Sequence, residues 1–122
     1  DITLDNGTII PNSELSFPPQ VAKSYAFCSD TMYNEDIIPI IENVDYLYHE
    51  STFLESEAHL SERTMHSTAK EAATIALKAK VKHLILGHYS TRYGNIEFFK
   101  TEAQTIFSNV LLADDGKEIE ME

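Results

Sequence analysis

Three stretches of apolar residues in this chain have the length of β-strands, and polar residues follow each of them directly. The stretches are 25–28, 44–48 and 81–87, and the polar residues that follow include Asp30, His49, Glu50 and His88. Parallel strands that are covered by helices expose functional groups at their carboxyl ends, so three such endings can meet at one edge of a sheet. Two carboxylates and two imidazoles at such an edge indicate a metallohydrolase site.

Apolar residues at helical spacing predict helices in the second half of the chain. Thr68 and Glu71 have the spacing of a capping box, and Ala and Ile recur along one face of the segment 72–79. A second amphipathic helix is predicted over 96–106. A shorter helix is expected over 34–42, with its first residue as the cap and a proline in its interior.

Turn-forming residues divide the rest of the chain. Asn6-Gly7 predicts a small hairpin over 4–10, because these residues tolerate the positive φ angles of a two-residue turn. Strands are predicted over 110–113 and 117–121, and the polar stretch 56–63 is predicted to be a loop. Strands and helices are mixed and their connections are short, so no internal domain boundary is expected.

Composition narrows the class of protein. The chain has 122 residues, 43% of them hydrophobic, which suits one compact domain. It has no apolar run of membrane-spanning length and no signal-like start, so a cytoplasmic protein is expected. A single cysteine excludes an internal disulfide and a cysteine-based zinc site. The net charge of -11 argues against this segment holding a nucleic acid alone, but it suits divalent cations.

The residues just before the 72–79 segment suggest phosphate chemistry. A helix amino terminus offers unpaired N–H groups, and the hydroxyls of Ser67 and Thr68 would add donors for a substrate phosphate. His66 beside that phosphate could donate a proton to a leaving oxygen or stabilise developing charge. The alternative is that Thr68 only caps the helix and His66 is an ordinary loop residue.

Four short motifs stand out along the chain, and their order is as informative as their content. They are Phe27-Cys28-Ser29-Asp30-Thr31, Tyr48-His49-Glu50-Ser51-Thr52, His66-Ser67-Thr68 and Gly87-His88-Tyr89-Ser90-Thr91-Arg92-Tyr93. Together they closely resemble the carboxyl-terminal half of the ribonuclease Z family, the tRNA 3′-processing endoribonucleases of the metallo-β-lactamase superfamily. The resemblance extends over almost the whole chain.

The resemblance implies a fold and a set of roles. The fold would be α/β, one half of a metallo-β-lactamase αββα sandwich, with a mixed sheet, helices on one face, and residues 1–122 as a single partial domain. Asp30 would be the carboxylate that bridges two Zn²⁺ ions, and His88 would be a terminal ligand of one ion. His66 would be the catalytic histidine near the scissile phosphate, and Glu50 would orient it.

The chain departs from the family's pattern in two mild ways and in one large way. Ser51 stands where the family usually has alanine, and Tyr89 stands where it often has phenylalanine. The family's His-x-His-x-Asp-His motif, a further ligand histidine and the basic tRNA-binding arm belong to the amino-terminal portion and are not found in this chain. The chain is therefore expected to be a fragment that binds zinc weakly or not at all by itself.

Other residues admit two interpretations. Arg92 would contact a substrate phosphate or form an internal salt bridge. Cys28 could be a nucleophile, but a buried strand cysteine fits an apolar run better. A triad built on Ser29 or Ser90 lacks the glycines of a nucleophile elbow. His49 is expected to have a structural or supporting role, and no role is assigned to the other two histidines, His59 in the predicted loop and His83 inside a strand.

Two classes of function follow for the protein. In the first, the complete protein is a zinc-dependent endoribonuclease that removes the 3′ trailer of precursor tRNA, and this chain supplies part of the active site. In the second, the chain is a non-catalytic half-domain that self-associates as a homodimer through the surface that the other half would cover. Another phosphodiesterase of the superfamily would explain the metal residues equally well, but it would explain the His66 and Glu50 motifs less well.

Overall fold

The computed structural model of the chain describes residues 2–3, 9–10, 23–114 and 119. The strands are β1 (Ile2–Thr3), β2 (Ile9–Ile10), β3 (Tyr25–Cys28), β4 (Tyr46–Glu50), β5 (His83–Gly87) and β6 (Val110–Leu112). The α-helices are α1 (Ile38–Ile41), α2 (Ala58–Thr64), α3 (Ala69–Ala79) and α4 (Glu97–Ala103), and 3₁₀ turns at Glu35–Ile37 and Glu55–Glu57 precede α1 and α2. None of the helices in these ranges is long and apolar enough to cross a membrane.

Four strands form one parallel sheet in the order β3-β4-β5-β6. Cys28 pairs with His49, and Glu50 pairs with Gly87, so the carboxyl ends of three strands lie at the same edge. This confirms the expected meeting of the three strand endings. The expected mixed character of the sheet is not seen in these four strands, and the strand predicted over 117–121 falls outside the described residues except for residue 119.

The helices cover one face of the sheet, as predicted. Leu47, Leu84 and Leu86 point to the same side and join one apolar cluster with residues of α1, α3 and α4. Helix α3 lies at the centre of this cluster, where five of its alanines and Ile75 are completely buried. Small side chains let a helix approach the sheet closely, and burial of each large aliphatic side chain contributes roughly 1.5–3 kcal/mol.

Aromatic side chains occupy the opposite face of the sheet. Phe27 stacks on Tyr48 and Tyr46 stacks on His83, each pair with ring centroids 4.6 Å apart. Phe27 is 63% exposed and Tyr25 is 50% exposed at the β3 edge. A face of rings that remains this accessible is suited to contact another protein surface.

The capping residues predicted at two helix starts are present in the structure. Thr68 and Glu71 form the predicted capping box of α3, and the Asn34 side chain accepts a hydrogen bond from the Asp36 N–H at 2.9 Å. Pro39 lies in the first turn of α1, where a missing N–H removes no helical hydrogen bond. Helix α4 is shorter than predicted. β1 pairs antiparallel with β2, but β1 lies just before the predicted hairpin span 4–10, and the predicted turn at Asn6-Gly7 lies outside the described residues.

The prediction of a loop over 56–63 is wrong. Helix α2 occupies most of this stretch, and His59 lies on that helix rather than in a loop. The helix ends at Thr64, and Met65, the left-handed residue that caps it, donates its N–H to the carbonyls of Ser61 and Glu62. The stretch has few apolar residues, so hydrophobic periodicity did not indicate a helix; the buried Ser61 side chain ties its last turn to the His66 carbonyl.

Candidate active site

Asp30, His66 and His88 come together at the carboxyl edge of the sheet. Each offers one oxygen or nitrogen atom, and the three atoms lie within 4.8 Å of one another. The His88 Nε2 atom is 3.5 Å from Asp30 Oδ1. All three side chains retain solvent access, with exposed fractions of 74% for Asp30, 43% for His88 and 23% for His66. The arrangement can hold a cation that bridges groups from three separate loops.

The backbone at this site is held in an uncommon conformation. Asp30 has a φ angle of 49° and His88 has a φ angle of 59°, both in the left-handed region that non-glycine residues rarely adopt. Met65, directly before His66, also has a φ angle of 59°. Such residues cost free energy and persist when surrounding contacts enforce them, which occurs most often at functional sites.

Glu50 is the buried centre of the site, and its side chain accepts four hydrogen bonds. Oε1 accepts from His66 Nδ1 at 2.7 Å and from the Thr31 N–H at 3.1 Å. Oε2 accepts from the Thr52 hydroxyl at 2.6 Å and from the Thr52 N–H at 3.1 Å. A carboxylate accepts hydrogen bonds only, so the proton in the short contact belongs to His66 Nδ1 and its Nε2 is left for chemistry. The predicted pairing of Glu50 with His66 is present in the structure.

Thr52 belongs to this network, although its sequence context did not single it out. Its hydroxyl lies 2.8 Å from His88 Nδ1 as well as 2.6 Å from Glu50 Oε2, and the residue is 7% exposed. The signal in the sequence was a polar residue two positions after Glu50 in a segment flanked by apolar residues. That signal is weak, because a threonine after a strand commonly belongs to a turn.

The loop that carries His66 is held on both sides. The buried Ser61 hydroxyl donates to the His66 carbonyl at 2.5 Å, and the His66 N–H donates to the Ser61 carbonyl at 2.9 Å. The Ser67 hydroxyl donates to the Thr31 carbonyl at 2.6 Å, which ties the loop to the segment after Asp30. These bonds hold the His66 ring at a defined distance from the other two groups.

The phosphate site that we expected at the amino end of α3 is not formed. Ala69 N–H donates to the Phe53 carbonyl, and Lys70 N–H donates to a Glu102 oxygen, both at 3.0 Å. Glu71 N–H donates to the Thr68 hydroxyl as part of the cap. The first N–H groups of the helix are therefore used inside the protein, and an anion would find none of these donors free.

The predicted substrate contacts of Ser67 and Thr68 are not supported by the structure either. Both residues are 0% exposed. The Ser67 hydroxyl is used by the Thr31 carbonyl, and the Thr68 hydroxyl donates to Glu55 Oε2 at 3.1 Å. Their role in this chain is to shape the loop and cap the helix, which was the alternative interpretation of Thr68.

Arg92 follows the alternative interpretation as well. Its Nη1 atom is 2.6 Å from Glu57 Oε2, and its guanidinium lies 5.7 Å from the centre of the Phe53 ring. This internal salt bridge links the loop after His88 to the 3₁₀ turn before α2. The side chain is 47% exposed and has further N–H donors, so the predicted contact of Arg92 with a substrate phosphate stays a prediction beside this salt bridge.

The remaining residues near the site have structural surroundings. Burial raises the pKa of the Cys28 thiol, which agrees with the expectation of an unreactive strand cysteine. His49 is completely buried, and burial lowers its pKa even though its Nδ1 lies 2.8 Å from the Glu50 carbonyl. The hydroxyl of Ser51 donates to the Gly87 carbonyl, and that of Tyr89 lies 2.8 Å from the Leu86 carbonyl. Both departures from the family's pattern are therefore accommodated.

A cleft of about 300 Å³ opens beside His66. Met32, Tyr33 and Ala58 line it, together with three glutamates, Glu55, Glu62 and Glu71. This wall is negative, and it repels a phosphate unless a cation neutralises part of the charge. The electrostatics of this part of the site therefore suit a metal ion next to any anionic substrate.

Solved structures define the class of fold. The chain resembles the metallo-β-lactamase fold protein YhfI from Bacillus subtilis with a TM-score of 0.69 and 30% identity, over 75% of this chain and 37% of that chain. It also resembles the short form of human tRNase Z with a TM-score of 0.59 and 27% identity, over 78% of this chain and 31% of that chain. The chain has the α/β architecture of part of a metallo-β-lactamase fold.

Curated relatives narrow this class. The chain is 49% identical over 95% of its length to ribonuclease Z of Parabacteroides distasonis, of which it covers 38%. It is 45% identical over 99% of its length to ribonuclease Z of Porphyromonas gingivalis, of which it covers 40%. No family model matches the chain. The chain is a homologue of ribonuclease Z and corresponds to its carboxyl-terminal part, spanning about two fifths of the length of these relatives.

The ligand atoms of Asp30, His66 and His88 are suited to bind Zn²⁺. One carboxylate and imidazole nitrogens are ligands that Zn²⁺ accepts, and the three groups are close enough to share one centre. Hydrogen bonds to Glu50 and Thr52 hold the other nitrogen of each imidazole, as is usual for histidines that bind a metal. Asp30 and His88 would hold the ion, and His66 lies beside these two groups without being needed as a ligand.

Proposed function

We propose that the complete protein is a zinc-dependent endoribonuclease that cleaves the 3′ trailer from precursor tRNA, and that this chain supplies part of its active site. The observation that carries the proposal is the cluster of Asp30, His66 and His88 around the buried Glu50. Its support from relatives is the similarity to ribonuclease Z over nearly the whole chain. Two Zn²⁺ ions are proposed for the complete site.

Each side chain has a separate task in this proposal. Asp30 and His88 hold the metal, which when bound supplies an activated water and stabilises negative charge on the phosphate. Glu50 holds the His66 ring through Nδ1 and stabilises its protonated form, as a buried carboxylate does in other acid-base pairs. His66 then presents a proton on Nε2 to the leaving oxygen. This chain thereby contributes metal ligands, orientation and proton transfer.

The function is tested with the full-length protein and a precursor tRNA that carries a 3′ trailer. We expect cleavage at the junction with the trailer, loss of cleavage after treatment with a chelator, and recovery when Zn²⁺ is restored. A precursor that lacks the trailer is the control and should remain intact. Cleavage that persists without metal, or a full-length protein that leaves the trailer in place, would refute the proposal.

We also propose that this chain by itself forms a homodimer. The exposed rings of Tyr25 and Phe27 lie on the sheet face opposite the helices, at the edge strand β3. In the longer relatives this chain accounts for about two fifths of the length, so further chain is available there to cover such a face. In isolation, a second copy of the chain is the available partner.

Sedimentation velocity of the chain at micromolar concentration tests this self-association. We expect a dimer for the unsubstituted chain and a shift toward monomer for Phe27→Glu, because a charge on the exposed aromatic face opposes its burial. Phe98→Glu is a matched control, since Phe98 is 58% exposed on α4, away from this face. A stable monomer for the unsubstituted chain contradicts the proposal.

A further inference from the structure

We propose that Thr52 is a positioning residue that fixes which nitrogen of His88 carries the proton and so prepares the other nitrogen to bind metal. This inference rests on the proposed function only in that His88 is a metal ligand. It gives a role to a residue that neither binds the metal nor touches the reacting atoms.

The two contacts of the Thr52 hydroxyl determine which nitrogen of His88 is protonated. A hydroxyl has a single proton to donate, and a carboxylate accepts hydrogen bonds only. The 2.6 Å contact with Glu50 Oε2 therefore uses the proton of the Thr52 hydroxyl. In the 2.8 Å contact with His88 Nδ1, the hydroxyl oxygen must then be the acceptor, so Nδ1 carries the proton. Burial of Glu50 and Thr52 excludes bulk water as a competing partner.

The consequence for His88 concerns its other nitrogen. A neutral imidazole has one protonated nitrogen and one bare nitrogen, and only the bare nitrogen can bind a metal. With the proton on Nδ1, the lone pair is on Nε2, which is the atom that lies 3.5 Å from Asp30 Oδ1. Without the Thr52 acceptor, the proton can move to Nε2 and block the nitrogen that faces the metal position.

Glu50 thereby controls both histidines of the site through its two oxygens. Oε1 holds His66 directly at 2.7 Å, and Oε2 holds His88 through the Thr52 hydroxyl. A change at Glu50 would disturb both rings, whereas a change at Thr52 removes only the branch that leads to His88. Substitution of Thr52 therefore isolates the effect of the His88 tautomer.

The first measurement needs no substitution. In metal-free, ¹⁵N-labelled full-length protein, NMR correlation of the His88 ring nitrogens with its ring protons distinguishes a protonated nitrogen from a bare one. We expect the proton on Nδ1, with the resonance assigned through His88→Gln. If the proton is found on Nε2, the proposal is overturned, whether or not any variant folds.

The second measurement compares the zinc affinity of three variants of the full-length protein by competition with a chromophoric chelator. Thr52→Val keeps the shape of the side chain but removes the hydroxyl, and it should weaken Zn²⁺ binding about 10- to 100-fold. Thr52→Ser restores the hydroxyl and should restore the affinity. Thr74→Val is the control, because the Thr74 hydroxyl donates to the Lys70 carbonyl within helix α3.

Unchanged zinc affinity in Thr52→Val, or equal losses in the valine and serine variants, would overturn the proposal. Neither measurement uses RNA. A full-length protein that fails to cleave precursor tRNA would therefore refute the proposed function and leave the result on Thr52 intact. Conversely, an active enzyme with the His88 proton on Nε2 would refute the role of Thr52 alone.

Discussion

Replacing His66 with alanine in the full-length protein should slow cleavage of precursor tRNA by at least about a hundredfold and leave the zinc content near normal. The reason is the position of the ring. Glu50 holds Nδ1 at 2.7 Å, and the open side of the imidazole borders the metal-binding pair of Asp30 and His88. A group placed there can transfer a proton without being needed to hold the ion.

Asp30→Ala is the paired variant, and it should lose metal and activity together. Its carboxylate would hold the metal in the proposed site, and neither of the two imidazoles in the cluster can replace an anionic ligand. The contrast between the two variants separates proton transfer from metal binding.

Zinc content by mass spectrometry, measured beside single-turnover cleavage, distinguishes the two roles. His59→Ala is the control, because His59 is an exposed histidine on α2 and should keep both zinc and activity. A ring nitrogen of His66 lies within 4.8 Å of the ligand atoms of Asp30 and His88, so His66 is close enough to be a ligand itself, and the experiment decides whether it is one. Loss of zinc in His66→Ala would make it a ligand, and normal cleavage would remove its catalytic role.

The isolated chain of 122 residues should not cleave precursor tRNA at all, and it should bind Zn²⁺ far more weakly than the full-length protein. Zinc sites normally use three or four protein ligands, and this chain offers Asp30 and His88 with His66 at the border. The chain also carries a net charge of -11, which repels the phosphates of an RNA backbone.

Equilibrium dialysis against Zn²⁺ and a gel-based cleavage assay on the same preparation test this expectation. The full-length protein, assayed in parallel, shows that the substrate and the metal are competent. Stoichiometric, tight zinc in the chain alone would show that three groups at the sheet edge suffice. Cleavage by the chain alone would show that the active site is complete without further chain.

Local signals in the sequence predicted most of the fold because they depend on neighbours along the chain. The capping box at Thr68 and Glu71 and the strand endings at Asp30 and His88 are examples. Helix α2 was missed because its stretch lacks an apolar period, so the pattern of hydrophobic positions gives no signal for a helix there.

The pairing of Glu50 with His66 was inferred from the resemblance to a family, and the structure contains it. The failures at the site share a physical cause. Whether a hydroxyl is free for a substrate depends on partners that are distant in sequence. The Ser67 hydroxyl is paired with Thr31, which is 36 residues away, and the Thr68 hydroxyl is paired with Glu55, which is 13 residues away.

The sequence by itself determined the order of the elements except helix α2, the edge at which the functional groups meet and the identity of Asp30, Glu50 and His88 as candidates. Period, capping and strand termination are local properties, so they can be read along the chain. Only the tertiary structure decided which hydrogen bonds are already used inside the protein. The first N–H groups of α3 donate to acceptors within the protein, and Thr52 links Glu50 to His88. Polar groups that folding removes from water must find such partners inside the protein.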